Sequence, residues 1–244
     1  ATAPITLAGT LVIQNCDGLI HILLSQLANP GTPAIYGSVA TTVNLHDVHY
    51  LGGPVESGMI NAATAQLERY YGLPYYSTAG ISDSKTLDVQ CGYEAAINNL
   101  LVAMSGGDLI HDAAGLMEFA TTVSKEKLVI DNEILGIAGR CIEGIQVPAE
   151  TLAFDTINSA GPGGNFIAQR HTRRHMHREH YKPQLSDRAL REEWICGGSK
   201  TAADKAHETV TEILEDSLEP KLSPQTAERI IQTFPQIRKK DFEP

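Results

Sequence analysis

The chain has 244 residues, 42% of them hydrophobic and 20% charged, with a formal charge of −10. That is enough length for one large domain with a substantial core, in the composition range of ordinary globular proteins. The acidic balance speaks against a nucleic-acid partner bound by phosphate neutralisation, and no apolar run reaches the roughly 18 residues a membrane span needs, so no membrane is expected either.

Taken in order, the first predicted unit is a strand, Ile5 to Ala8, followed by a helix from Asn15 as N-cap to Leu27, where Leu19, Ile20, Leu23, Leu24 and Leu27 recur at helical spacing. N-P-G-T-P at 29–33 ends it. A strand Ala34–Tyr36 and a long loop through Asn44, His46, Asp47, His49, Tyr50 and G-G-P-V-E lead to a helix, Ser57–Tyr71. Next is a short strand, Tyr75–Ala79, bounded by Pro74 and Gly80, with the polar loop Ser82, Asp83, Ser84, Lys85 just past its end. A helix from Asp88 to Met104, a strand Leu109–His111 and a helix Lys125–Ile142 follow. Beyond Pro148 the pattern is helical: Ala149–Asn158, a G-P-G-G breaker, a basic His-rich helix Arg170–Tyr181, a short helix with Trp194, an exposed helix from Lys200 to Ser217, and a last one opening on Ser223–Pro224 and running to Phe234. The final R-K-K-D-F-E-P is expected to be loose.

Each of the four predicted strands ends in a small-residue turn, and strand alternates with helix, which is the pattern of βα units around a parallel sheet. A (β/α)8 barrel needs eight such units in typically about 250 residues. The fold class expected is therefore α/β, a TIM-barrel relative: residues 1–147 supply about four βα units, the second half of a barrel, and 148–244 form a helical C-terminal extension. A chain that opens on P-I-T-L-A-G with no initiator Met, no leading helix and no signal peptide fits a fragment of something larger. The unpaired edges of an open half-barrel seek partners, so a homo-oligomer, or docking of the missing half, is expected.

In parallel α/β folds chemistry gathers past the C-terminal ends of the strands. Tyr36, Ser38, Tyr75, Tyr76, Thr78, Asp83, His111 and Asp112 fall there, with His49, Tyr50 and Glu56 on the long loop. Aromatic rings with a few carboxylates suit a cationic ligand, because ring faces attract ammonium groups. The competing reading is that the tyrosines pack between strand and helix while the carboxylates cap helices. His171 and His175 stand four apart on one helical face, yet the run lacks the Glu of H-E-x-x-H and is crowded with arginines, so no metal is expected. Four scattered cysteines, Cys16, Cys91, Cys141 and Cys196, without C-x-x-C, suit free thiols in a reducing cytoplasm. There is no G-x-G-x-x-G, no P-loop and no G-x-S-x-G elbow. A barrel lyase would need a Schiff-base lysine at a strand end, and Lys85 is the one lysine the reading places near such an end.

The runs G-S (37–38), G-G-P-V-E-S-G (52–58), A-Q-L-x-R-Y-Y-G-L-P (65–74), D-S-K-x-x-D-x-Q (83–90) and H-T-R-R-H-M-H-R-E-H-Y-K-P-Q-L-S-D-R (171–188) resemble the trimethylamine:corrinoid methyltransferase superfamily, in order and over nearly the whole chain. The resemblance implies a (β/α)8 barrel about twice this length, of which this is the C-terminal half. It also implies transfer of a methyl group from an amine to the Co(I) corrinoid of a small partner protein, with no tightly bound cofactor on this chain. The trimethylamine enzymes carry a pyrrolysine close to the loop after Tyr75–Ala79. Here that loop reads T-A-G-I-S-D-S-K, with Gly80 to Asp83 as the matching neighbourhood and no non-standard residue. The departure points to the non-pyrrolysine branch, similar to glycine betaine methyltransferase, acting on quaternary amines. A quaternary nitrogen leaves as a neutral amine without a general acid, so the protein need only hold the cation and aim one methyl outward. On this reading Tyr36, Tyr75, Tyr76 and His111 form the pocket, Asp83 or Glu56 supplies the negative field, and Lys85 or backbone N–H groups bind a substrate carboxylate. The alternative is a non-catalytic fragment that docks a corrinoid protein or its missing barrel half.

Overall fold

The computed structural model describes residues 2–216 and 222–234. The first element is a helix, α1 (Leu7–Ala28), where the sequence suggested a strand over Ile5–Ala8. The reason is the cap. Thr6 is extended and its hydroxyl accepts the N–H of Gly9, which starts the helix eight residues before Asn15. Asn15 is then mid-helix, accepting the hydroxyl of Tyr36 at 2.8 Å and donating to that of Tyr71 at 3.0 Å. By length and composition α1 is long and apolar enough to cross a membrane, although interleaved polar residues break up any simple apolar run in the sequence. Its polar side is engaged inside the fold, with Gln14 accepting from Thr64 at 2.7 Å.

Three parallel strands, not four, follow among the described residues: β1 (Tyr36–Gly37), β4 (Tyr75–Thr78) and β5 (Leu109–His111), paired in that order with Tyr36 beside Tyr75 and Thr78 beside His111. Two antiparallel hairpins sit at their C-terminal ends, β2–β3 (Thr42–Val43, Tyr50–Leu51) and β6–β7 (Leu116–Met117, Thr122–Val123). Helices α2 (Val55–Tyr71), α3 (Val89–Ser105) and α4 (Lys125–Glu143) alternate with the parallel strands, and each packs against the next. Their ends are chemically specified. Asp88 and Ser124 cap α3 and α4 through side-chain oxygens, while Gly72 and Gly106 close α2 and α3 in the left-handed conformation. The sheet–helix core gathers Tyr36, Ala65 and Tyr75 with Leu19, Ile22, Tyr71 and Leu73 around them.

After α4 the chain is helical: α5 (Ala149–Leu152), α6 (Phe154–Ala160), α7 (Arg170–Glu179), α8 (Arg191–Cys196), α9 (Ala202–Glu215) and α10 (Pro224–Thr233). The single helix expected over Ala149–Asn158 is broken at Ala153, which is left-handed at φ 54°. The terminal run expected to be loose lies outside the described residues.

Glu133 is one of the ties between the extension and α4, beside the packing of α9 on that helix. Its carboxylate accepts the N–H groups of Gln184 (2.6 Å), Leu185 (2.5 Å) and Ser186 (3.0 Å) and the Ser186 hydroxyl. Burial works to raise this carboxyl, but the four donors win and hold it below the usual glutamate range. A depressed folded value means the stabilisation is present above the unfolded pKa of about 4.3 and is lost as pH falls through the folded one. Glu133→Ala, which strands those donors, is expected to cost about 2–3 kcal/mol in chemical denaturation and to free the Leu185 and Ser186 amides to exchange. Unchanged protection of those amides would remove this anchor.

Candidate functional site

At the C-terminal end of β4 the chain turns through Gly80 (φ 80°) into Ile81–Lys85, a loop whose polar groups are nearly all committed. The Ser82 hydroxyl and the Asp83 N–H both donate to Glu94 Oε2, at 2.7 and 2.8 Å, and the Ser84 hydroxyl donates to Asp88 at 2.9 Å. Asp83 itself is buried, and its Oδ1 accepts the N–H of Gly52 at 3.0 Å. Burial is the main influence on that carboxyl and raises its pKa; the Gly52 and Gly53 N–H groups pull the other way, and nearby Glu94 adds to the rise. Lys85 folds back so that Nζ donates to the Asp83 carbonyl at 2.7 Å and lies 4.1 Å over the Phe119 ring.

The neighbouring strand supplies the other wall. Tyr76 and His111 stack, centroids 4.7 Å apart and planes within 7°. His111 is held at both ring nitrogens, Nδ1 against the Ser77 carbonyl at 2.7 Å and Nε2 against the Asp112 carboxylate at 2.9 Å. Two hairpins complete the cluster. On β3, the Tyr50 hydroxyl is pushed up in pKa by burial first and then by the negative charges of Asp112 and Asp83, so it lies in the field of both carboxylates. At the β6–β7 tip Glu118, Phe119 and Ala120 are all left-handed (φ 48°, 61° and 66°), a strained run that presents Phe119 to the His49 ring at 4.6 Å and to Lys85. The β3–α2 connection presses directly on the floor: a Cβ on Gly52 would stand 2.5 Å from Ile81 Cγ2, and one on Gly53 would collide with the Glu94 carboxylate.

Of the residues singled out from sequence, the structure thus brings together Tyr76, His111, Asp83 and Lys85. Tyr36 and Tyr75 stand elsewhere. Both are fully buried on the helix side of the sheet, with the Tyr75 hydroxyl donating to the Asn61 carbonyl at 2.9 Å and Tyr36 pushed up to about 12 mainly by burial. Strand alternation puts Tyr75 and Tyr76 on opposite faces. Glu56 is exposed in the first turn of α2, outside the cluster. Glu94 and Phe119 escaped the sequence reading; the only signal for Phe119 was an apolar residue between two short β-prone pairs. Lys127 escaped it too, for its amine reaches the end of β4 from α4 at Gly80, so Lys85 is not the only lysine near a strand end. A cleft of about 640 Å³ opens beside the cluster between α1 and the Gly37–Val43 segment, and Tyr50 lines it. In the extension, the His171 and His175 rings lie 4.3 Å apart, with Glu150 against His175.

The ring-and-carboxylate cluster lies at the C-terminal ends of parallel strands, the end at which α/β folds place small-molecule sites. Comparison with known proteins is specific: a family model described as trimethylamine methyltransferase (MTTB) matches residues 1–243, and the chain belongs to that family. It is 41% identical over 216 residues to trimethylamine methyltransferase MttB of Desulfitobacterium hafniense (strain DSM 10664 / DCB-2), covering 88% of this chain and 43% of that protein. To glycine betaine methyltransferase of Desulfitobacterium hafniense (strain Y51) it is 37% identical over 225 residues, 92% of this chain and 47% of the relative. To trimethylamine methyltransferase MttB of Methanosarcina thermophila it is 40% identical over 215 residues, 88% and 44%. The chain therefore spans a little under half the length of the curated relatives it matches.

Proposed function

We propose that this chain carries the substrate-holding part of a corrinoid-dependent methyltransferase that demethylates a small quaternary amine of betaine type. The observation that carries the reading is the cluster itself: the Tyr76–His111 stack beside two carboxylates, Asp83 and Asp112, with one lysine at its rim. The outer ring faces of the stack take the ammonium, Asp83 supplies the negative field, and Lys85, which leaves Phe119 to do so, takes the substrate carboxylate. Phe119, so vacated, offers a second ring to the cation. Tyr36, Tyr75 and Glu56 drop out of the pocket. A corrinoid on a partner protein supplies the nucleophile that accepts the methyl group. Tyr76 is only half-buried and the His111 side chain is 24% exposed, so a methyl group held against them is reachable from outside.

The half-barrel reading is supported by order. The parallel strands β1, β4 and β5 follow chain order across the sheet and helices α1 to α4 pack consecutively, as successive βα units of a barrel do. A second, non-catalytic reading has its own observation. α1 has no fully buried residue and leaves Ile20, Leu23, Leu24 and Leu27 more than half exposed beside the outer edge of β1, a surface suited to the rest of a barrel or to a second copy.

The test is methyl transfer to free Co(I) cobalamin from glycine betaine, proline betaine, carnitine and trimethylamine. It uses this chain alone and the chain joined to a relative's N-terminal half. Transfer from a quaternary amine, with trimethylamine inert, is the expected result. Preference for trimethylamine overturns the substrate class, and folded but silent protein in both forms favours the docking role.

A further inference from the structure

Beneath the two loops that bear the cluster lies an ion pair that the binding chemistry does not use. Lys127 and Asp131 stand one turn apart on α4, with side chains 0% and 1% exposed. Lys127 Nζ donates to Asp131 Oδ2 and, at 2.9 Å, to the carbonyl of Gly80; the same Oδ2 accepts the N–H of Gly115 at 2.7 Å. Gly80 and Gly115 are the left-handed turn residues past β4 and β5, at φ 80° and 87°. They fit closely: a Cβ on Gly80 would collide with the Ala113 carbonyl, which also accepts from Asn99 at 3.0 Å. Above the pair the two loops are laced by backbone bonds, Ser82 N–H to the Leu116 carbonyl at 3.1 Å and Glu118 N–H to that of Ser84 at 3.3 Å.

Stability alone does not explain such a pair. Desolvating two charges costs about as much as their attraction returns, and apolar replacements of similar volume are often neutral or stabilising. Its partners point to another role, since one bond reaches the loop of Asp83 and Lys85 and the other the turn that follows His111 and Asp112. We infer that Lys127 and Asp131 are positioning residues, a buried clasp that sets the end of β4 against the end of β5 so that the two halves of the cluster face one ligand. The ligand arm of this inference rests on the proposed function; the clasp itself does not.

The decisive variant is Lys127→Met with Asp131→Leu, made in the 244-residue chain. It is followed by thermal unfolding, by amide exchange at Ser82 and Glu118 against Val102 in α3, and by titration with glycine betaine. The expected result is unchanged or higher thermal stability, with the Ser82 and Glu118 amides exchanging about tenfold faster, the change that loss of one charge-assisted hydrogen bond produces. Betaine affinity should fall by a similar factor. Wild-type protection and affinity in a stable double variant would overturn the clasp. Should the double variant fail to fold, Asp131→Asn decides: faster exchange confined to Ser82 and Glu118 supports the clasp, and uniform loosening that includes Val102 makes the pair structural and overturns it. A wild-type chain indifferent to betaine, with the exchange difference intact, would sink the ligand assignment and leave the clasp standing.

Discussion

Alanine at two adjacent positions is expected to give opposite phenotypes. Tyr75→Ala removes a fully buried ring and leaves the Asn61 carbonyl without its hydroxyl donor, a change of about 3–5 kcal/mol in unfolding free energy by analogy with other buried aromatics. Tyr76→Ala, one residue on and facing the other way, removes a half-buried ring from the His111 stack. It should leave the unfolding midpoint within a few degrees of wild type and weaken quaternary-ammonium binding about fivefold, the equivalent of a partly exposed cation–π contact of about 1 kcal/mol. Denaturation and ligand titration on the same two variants read both effects. A Tyr76→Ala chain that binds betaine normally removes the ring wall from the site.

Asp83→Asn separates charge from shape. The amide oxygen still accepts the Gly52 N–H, while the negative charge facing the cation is gone. Affinity for a quaternary amine is expected to fall at least about tenfold, within the range that a charge pair near a protein surface supports. Because burial raises the Asp83 carboxyl above its usual range, wild-type affinity should decline on acidification before pH reaches about 3.9, where an ordinary aspartate titrates, and the variant should be flat through that window. The linkage sign for stability is the reverse of Glu133. A raised folded pKa gives a contribution that is complete below the unfolded value and lost as pH rises through the folded one, so at neutral pH the ionised Asp83 is a burden on the fold. Asp83→Asn should accordingly be at least as stable as wild type at pH 7. Affinity that is indifferent to both pH and the substitution would assign the negative field elsewhere, to Asp112 first.

How much of this could be read from residues alone depended on whether the cause was local. The strand at Tyr75 and its polar loop, the helices starting after Asp88 and Ser124 and the one opening on Pro224 were all legible, because side-chain caps, glycine turns and proline act over three or four residues. The start of α1 was misjudged because Ile5–Ala8 reads as a β-prone run until Thr6 is seen capping it. The two hairpins were missed, since strands of two residues carry no period. Side-chain facing was harder still. Alternation says that Tyr75 and Tyr76 point apart, but only the position of α2 decides which of them enters the core. Lys127 and Asp131 carry the spacing of a solvated i, i+4 pair on a helix surface; that they are sealed under two loops is a property of the assembled sheet.

The tight seating of Gly52 and Gly53 bears on how the pocket could be redesigned. Their backbone rests on Ile81 and on the Glu94 carboxylate, so a side chain at either position must first displace one of these neighbours, and the floor is a costly place to add bulk for a different substrate. Variation in specificity is easier at the walls, at Tyr76, His111 and Phe119, whose side chains are partly open, although the left-handed backbone at Phe119 disfavours β-branched replacements. A library built on those three positions searches the more open side of the pocket, whereas substitutions at the paired glycines must first move Ile81 or Glu94.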